Sequence, residues 1–132
     1  MSISSHSTLA EVKEQFTTIG AALTAGATIT PVKQTHTLTL PASSPANIDV
    51  ISATGASKGQ LFILIAEGAG TGAVSIRDKA HSSNSTTGKN IVCGGGTSST
   101  IAFDGANDSA TFIFDGTNWI AISSFNGGPN QD

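Results

Sequence analysis

The chain has 132 residues, a length that suits one domain with a single core. Only 11% of the residues are charged and the net charge is −3, so the sequence lacks the clustered Lys and Arg that bind nucleic acid. No run approaches the roughly 18 apolar residues of a membrane-spanning helix, and the first residues lack the pattern of a secretion signal. We expect no nucleic-acid partner, no membrane partner and synthesis in a cytoplasm. With 17 Ser, 17 Thr and 15 Gly, the surface should be polar but uncharged.

The N-terminal segment is the one stretch with a helical pattern. Thr8 followed by Glu11 matches a capping box, and apolar residues then recur at spacings of 3 and 4. These seam positions are Leu9, Val12, Phe16, Ile19 and Leu23. Because the seam is too short for a free coiled coil, we expect this α-helix to dock on its own domain or on other copies. Residues 1–30 are predicted to be an arm that anchors or trimerises the protein.

The remainder of the chain, 31–132, has the pattern of short strands. Apolar and polar residues alternate in "THTLTL" at 35–40, and further runs are bounded by Gly, Asn, Asp or Pro. These runs are "NIDVISA", "QLFILIAE", "AVSIRD", "KNIVC", "TSSTIAF", "SATFIFD" and "NWIAISS". About eight strands without intervening helices predict an all-β domain, an antiparallel β-sandwich or jelly roll. The run "LFILIA" is apolar on both faces, so a trimer partner or the N-terminal helix should cover its outer side.

The sequence Phe-Asp-Gly-x-Asn occurs twice, beginning at Phe103 and at Phe114. The second copy separates two predicted strands, where Asp-Gly supplies the positive φ of a tight hairpin. We predict that the copies are turns at opposite ends of a three-stranded meander rather than a repeated binding loop.

Catalytic, cofactor and metal sites are not expected. The three His residues lie in different segments, and no Walker, zinc-protease or nucleophile-elbow motif occurs. The single cysteine, Cys93, is interpreted as a small buried residue. A polysaccharide-degrading enzyme would need two carboxylates in one cleft, and Asp49, Glu67 and Asp78 are the candidates for that alternative.

Two polar or Gly-rich segments, 66–73 and 78–89, are the expected contact loops for an external ligand. Trp119 follows a turn, so its ring either stacks on a sugar or lies in the core. Asn84 lies within the second loop. Trp119 and Asn84 are therefore the possible ligand-facing residues.

The last two thirds of the chain resemble small β-sandwich or jelly-roll modules of tailed bacteriophages: capsid decoration (cement) proteins, head fibres and tail-fibre tips. The matching features are "LTLP", "GQLFILIAEGAGTGAVSI" and "SATFIFDGTNWIAIS". The resemblance implies a structural protein of the virion exterior, not an enzyme, that forms a homotrimer and binds the major capsid protein or another virion protein. The alternative is a head-fibre or tail-fibre tip that binds a host glycan.

Overall fold

The computed structural model describes residues 18–68 and 70–126. This part of the chain is all-β, with eleven strands and no helix. The strands are β1 (Ile19–Thr24), β2 (Thr28–Ile29), β3 (Thr35–Thr39), β4 (Ala46–Ile48), β5 (Val50–Ile51), β6 (Leu61–Glu67), β7 (Val74–Arg77), β8 (Ile91–Val92), β9 (Thr100–Phe103), β10 (Ser109–Phe114) and β11 (Trp119–Phe125). Each of the eight predicted runs contains a strand, and "NIDVISA" is divided at Asp49 into β4 and β5.

The strands form three sheets around one buried cluster, an arrangement consistent with a β-sandwich. The largest sheet has the strand order β1-β3-β6-β10-β11-β8, and the smaller sheets have the orders β4-β7-β9 and β2-β5. Five strand pairs are parallel and three are antiparallel. The prediction of an antiparallel fold is therefore wrong, because the sheets are mixed.

The mixed pairing follows from the path of the chain. From β1 to β7 consecutive strands lie in different sheets, and each return to a sheet adds a strand parallel to the earlier one. From β9 onward each new strand pairs antiparallel with an earlier one, and β10 and β11 form the predicted hairpin. Strand β11 also pairs in parallel with β8. The predicted three-stranded meander is wrong, because β9 pairs with β7 in the smaller sheet and β10 pairs with β6 in the larger one.

The inner face of the six-stranded sheet carries much of the core. Phe62, Leu64 and Ala66 are buried and alternate along β6 with half-buried residues, as the period of a strand requires. The rings of Phe112 and Trp119 lie 6.2 and 5.9 Å from the Phe62 ring, between centroids. Burying one such side chain stabilises the fold by roughly 1.5–3 kcal/mol relative to leaving it exposed.

Strand β1 replaces the end of the predicted N-terminal helix. Ile19 and Leu23 lie in β1 and pair with β3, so the helix prediction is wrong for residues 19–23. The rest of that helix, with Leu9, Val12 and Phe16, lies outside the described residues. Strand β2 also belongs to the sheets through its pairing with β5. Strands β1 and β2, which fall within the segment 1–30 predicted to be an arm, therefore pair with strands of the predicted β domain.

A buried histidine fixes β1 in this position. His36 is 1% exposed, and its Nε2 accepts hydrogen bonds from the N–H groups of Val32 and Lys33 at 2.9 and 3.0 Å. Nδ1 therefore carries the ring proton, which it donates to the Ala21 carbonyl oxygen 2.9 Å away. The ring lies against Gly20, where a Cβ would collide with it. The spacing of apolar residues did not predict this strand, because the contact that selects it involves a Gly and a residue sixteen positions away.

Candidate functional site

The connection from β7 to β9 spans residues 78–99 and is anchored from beneath by a buried carboxylate. Asp78 is 1% exposed. Its Oδ1 accepts a hydrogen bond from the Ala80 N–H at 2.7 Å, and its Oδ2 accepts bonds from the N–H groups of Cys93 and Gly95 at 2.7 and 2.9 Å. Burial raises the pKa of Asp78, but these backbone hydrogen bonds outweigh it, so the net pKa is lowered. One side chain thus joins the two ends of the loop.

A second buried carboxylate, Asp49, lies between β4 and β5. Arg77 binds it through two parallel hydrogen bonds, Nε to Oδ1 at 2.6 Å and Nη2 to Oδ2 at 2.7 Å. The hydroxyl of Thr86 donates to Oδ2 at 2.8 Å. Burial raises the pKa of Asp49, and the bonds from Arg77 and Thr86 more than reverse this, so the net pKa is lowered. The bidentate pair with Arg77 fixes the orientation of the Asp49 carboxylate, and the hydrogen bond from Thr86 then holds the loop against the sheets.

Two buried amides complete this arrangement. Asn90 exchanges two hydrogen bonds with Ile51, accepting from its N–H at 3.1 Å and donating to its carbonyl at 2.7 Å. Asn84 donates from Nδ2 to the carbonyl oxygens of Asp49 and Asp78, at 3.4 and 3.2 Å. Asn84 is 2% exposed, so the prediction that it faces a ligand is wrong: its amide is used inside the protein. We call the set of four buried polar residues and the half-buried Arg77 that fix the loop the loop anchor: Asp49, Arg77, Asp78, Asn84 and Asn90.

Trp119 is also a core residue. It has no exposed surface, and its ring lies 4.9 Å from the Phe114 ring. Within the described residues its Nε1 has no hydrogen-bond partner. The prediction of a ligand-facing Trp119 is therefore wrong, because no sugar can reach its ring in this fold.

The other predicted contact loop, 66–73, connects β6 with β7 and crosses between sheets. The Thr71 hydroxyl donates to the Ala42 carbonyl oxygen at 2.9 Å. A Cβ at Gly70 would collide with the Leu40 carbonyl, so glycine allows the two segments to approach closely. Beside this contact lies a shallow groove of about 560 Å³, lined mainly by Ala, Leu, Pro, Thr and Gly.

The first Phe-Asp-Gly-x-Asn copy is capped by the residue that follows the motif. Asp108 is fully buried, and its Oδ2 accepts hydrogen bonds from the N–H groups of Asp104 and Gly105 at 2.8 and 2.9 Å. Asn107 adopts a φ of 75°, in the left-handed region. This turn carries the chain from the smaller sheet to the larger one.

The second copy uses its own aspartate instead. Asp115 is exposed, and its Oδ1 accepts hydrogen bonds from the N–H groups of Thr117 and Asn118 at 2.8 and 2.6 Å. Gly116 supplies the positive φ, at 102°, that the hairpin requires. The five-residue motif is thus used in two turns of different geometry.

The candidate groups for acid–base or thiol chemistry are engaged in the fold. Asp49 and Asp78 belong to the loop anchor, and Glu67 accepts a hydrogen bond from the Thr37 hydroxyl at 2.9 Å. Burial, with the nearby charge of Asp78, raises the pKa of the Cys93 thiol to about 11. Within residues 18–68 and 70–126, no three His, Cys, Asp or Glu side chains form a group that could hold a metal ion. The same residues contain no helix that is long and apolar enough to cross a membrane.

Comparison with known proteins adds no relative to this description. No family model matches the chain, and no curated protein matches its sequence.

Proposed function

We propose that this protein is a decoration (cement) protein of a bacteriophage virion. Homotrimers bind the outside of the shell, contact the major capsid protein and stabilise the particle without catalysis. The proposal rests on the resemblance to phage β-sandwich modules of the segment that begins with "LTLP" and ends with "NWIAIS". The observation that supports it best is the loop anchor, which joins the 22-residue connection 78–99 to the sheets through hydrogen bonds to Asp49 and Asp78.

Rigid loops suit a protein that works by covering the seams of a shell. Every loop or side chain that becomes ordered on binding loses conformational entropy, and this cost weakens the association. A surface that is already ordered avoids the cost. The 78–99 loop is ordered by hydrogen bonds of the free chain to Asp78 and Asp49. With 11% charged residues, the surface offers shape and uncharged hydrogen-bonding groups rather than a strong electrostatic field.

The two alternatives have less support from the side chains. A glycan-binding fibre tip would no longer use Trp119 or Asn84, because both are buried. It would have to bind through exposed polar residues of 78–89. A polysaccharide-degrading enzyme would have to use carboxylates of which Asp49 and Asp78 are already bound by Arg77 and by backbone N–H groups.

Co-sedimentation with shells tests the proposal directly. Shells are assembled from the shell-forming protein of the same genome, mixed with the purified full-length chain and pelleted. We expect saturable binding at a fixed ratio and a higher melting temperature of the decorated shell. Protein that remains in the supernatant, combined with binding on a glycan array, would overturn decoration in favour of the fibre-tip alternative.

Light scattering of the purified chain tests the trimer separately. We expect a mass three times the 13.2 kDa of one chain. A truncated chain for comparison should begin at Thr18, because β1 belongs to the sheet and a later start would remove it. A monomer at all concentrations would contradict a trimer that forms before shell binding.

A further inference from the structure

Strand β11 has an edge that the rest of the described chain leaves open. On one side it pairs with β10 along its whole length, from Trp119 to Phe125. On the other side β8 pairs with Trp119 and Ile120 alone. Within residues 18–68 and 70–126 no strand follows β8 along this side, so β11 presents an unpaired edge over residues 121–125.

The loop anchor explains why β8 is so short. After Val92, the N–H groups of Cys93 and Gly95 bond to the Asp78 carboxylate. Gly94 and Gly95 adopt φ values of 153° and 76°, which do not continue a strand. The chain therefore turns away from β11 after two paired residues.

A second unpaired edge lies beside the first. Strand β9 is the last strand of the three-stranded sheet and pairs only with β7. Between β9 and β11 runs a groove with two adjoining hollows of about 280 and 240 Å³. We call it the edge groove and define it by the residues that line it: 92–94, 100–102 and 120–126.

The edge groove has an apolar floor and no charge. Cys93, Ile101 and Ala121 are half-buried and pack against the core, so they form the floor. None of the described residues that line the groove is charged. Proteins often protect a strand edge from further pairing with Lys or Pro, and neither residue type occurs in β9 or β11. The two edges are therefore open to another strand.

A bulge in β11 places an apolar side chain at the edge groove. Thr111 and Phe112, consecutive in β10, pair with Ser123 and Ala121, so Ile122 is the extra residue. Bulges re-aim one side chain, and Ile122 is 56% exposed and lines the groove. A bulge can also blunt an edge, but an exposed isoleucine does not repel an incoming strand as a charge would. Ile122 instead offers a bound segment an apolar contact.

The dimensions of the edge groove suit an extended peptide. The five strand residues 121–125 extend over about 17 Å. Each hollow is smaller than the roughly 300–1,000 Å³ of a pocket for a drug-sized molecule. An extended peptide directs alternate side chains to the same side, so two adjoining hollows can take two of them.

The chemistry of the edge groove restricts the peptide further. A charged side chain would lose hydration there without gaining an ionic partner, which disfavours a charged segment. The edge of a strand offers backbone N–H and C=O groups in alternation, which a second strand matches with its own. The groove therefore selects an uncharged segment in the extended conformation.

We propose that the edge groove binds an extended, uncharged segment of a partner protein, which adds to β11 at residues 121–125 as a β-strand. Backbone hydrogen bonds to β11 give affinity, and small apolar side chains at alternate positions occupy the hollows. This inference does not rest on the proposed function, because the same contact would serve a decoration protein or a fibre tip.

Selection from a displayed library of random seven-residue peptides tests the proposal with the full-length chain. Ile122→Lys places a charge at the groove. Ile19→Lys is the matched control, because Ile19 is 59% exposed and lies in β1, at the opposite edge of the sheet. We expect the wild type and Ile19→Lys to select peptides whose central residues lack charge and Pro. In fluorescence anisotropy, the selected peptides should bind Ile122→Lys at least about tenfold more weakly.

Amide hydrogen exchange distinguishes strand addition from other modes of binding. We expect a selected peptide to slow exchange at least about tenfold for two or more amides within 121–125, and to leave the amides of β1 unchanged. Replacing two adjacent central residues of the peptide by Pro removes N–H groups on both sides of its backbone. This peptide should lose both its binding and its protection of 121–125.

Three outcomes would overturn the proposal. If no peptide is enriched, or if the enriched peptides bind Ile122→Lys as tightly as Ile19→Lys, the edge groove is not a peptide site. If the peptides bind without protecting amides within 121–125, they do not add to β11. If light scattering shows that Ile122→Lys alone changes the oligomer mass, the groove is an interface between copies of this chain. Shell binding is measured separately, so failure of decoration and failure of the peptide site are distinguishable.

Discussion

The loop that begins at Asp78 and the hairpin turn that begins at Asp115 are capped by the same chemical group in different surroundings. In both, an Asp carboxylate accepts hydrogen bonds from backbone N–H groups and its pKa is lowered. Asp115 is exposed and binds only the next residues, Thr117 and Asn118. Asp78 is buried and also binds Cys93, fifteen residues away. The difference shows that the chemistry of a short turn is local, whereas a long loop is ordered by a contact between its ends.

The largest effect is expected when the buried cap is removed. Asp78→Ala would leave the N–H groups of Ala80, Cys93 and Gly95 without their acceptor. A hydrogen bond to a charged group contributes about 1.5–3 kcal/mol, and the N–H groups of the exposed residues Ala80 and Gly95 can bond to water instead. We therefore expect the free energy of unfolding to fall by roughly 4 kcal/mol. Urea denaturation measures the free energy of unfolding of both variants. Asp115→Ala is the matched control, and we expect its melting temperature to stay within about 3 °C of that of the wild type. Equal effects of the two substitutions would contradict the distinction between buried and exposed caps.

A somewhat smaller effect is expected at the buried ion pair. Arg77→Met leaves the Asp49 carboxylate buried without its bidentate partner, and we expect a loss of about 3 kcal/mol in the free energy of unfolding. Replacing both residues, Asp49→Leu with Arg77→Met, should recover part of this loss because no charge is then buried alone. Chemical denaturation of the three variants measures the coupling between the two positions. A double variant less stable than Arg77→Met would refute this account.

Acid should weaken the loop anchor. Because the pKa values of Asp49 and Asp78 are lower in the folded chain than in the unfolded chain, their contribution to stability is complete above the unfolded value, about 3.9. It is lost as the pH falls through the folded values. We expect the free energy of unfolding to decline below about pH 4, and to decline less steeply in Asp78→Asn. The same slope in both proteins would show that Asp78 does not contribute to acid sensitivity.

The smallest effect concerns thiol labelling. Because the pKa of Cys93 is raised to about 11, its thiol should react with a disulfide reagent at pH 8 at least about tenfold more slowly than in the urea-unfolded chain. Asp78→Ala should accelerate labelling of the folded protein, since the Cys93 N–H loses its acceptor and the loop opens. Asp115→Ala should leave the labelling rate unchanged. Rapid labelling of the wild type would indicate that the loop opens even with its anchor intact.

Local features of the fold were predictable from the sequence. The alternation in "QLFILIAE" gives β6 its inward Phe62 and Leu64, and Asp-Gly at 115–116 gives the hairpin. Both depend on residues close together in the chain. The strand partners were not predictable, because a parallel pair such as β3 with β6 depends on where the intervening chain crosses to another sheet.

The loop anchor was not recognised from the sequence, although two signals mark it. Asp49 lies between Ile48 and Val50, and a single acidic residue within an apolar run is a candidate for a buried ion pair. Asp78 continues the inward positions of β7, after Val74 and Ile76, so strand parity places it inside. The partners could not be inferred, because Arg77 meets Asp49, and the N–H groups of Cys93 and Gly95 meet Asp78, only in the folded chain.

The strand order of the six-stranded sheet has a consequence for synthesis. Strand β6 lacks one of its two neighbours until residues 109–114 have been made, and β8 has no partner in this sheet before β11 exists. Nascent chains that end before Ser109 therefore present the unpaired edge of "LFILIAE", a template for aggregation. The six-stranded sheet can therefore be completed only after residues 119–125 have been made, and its many contacts between distant residues predict slow folding.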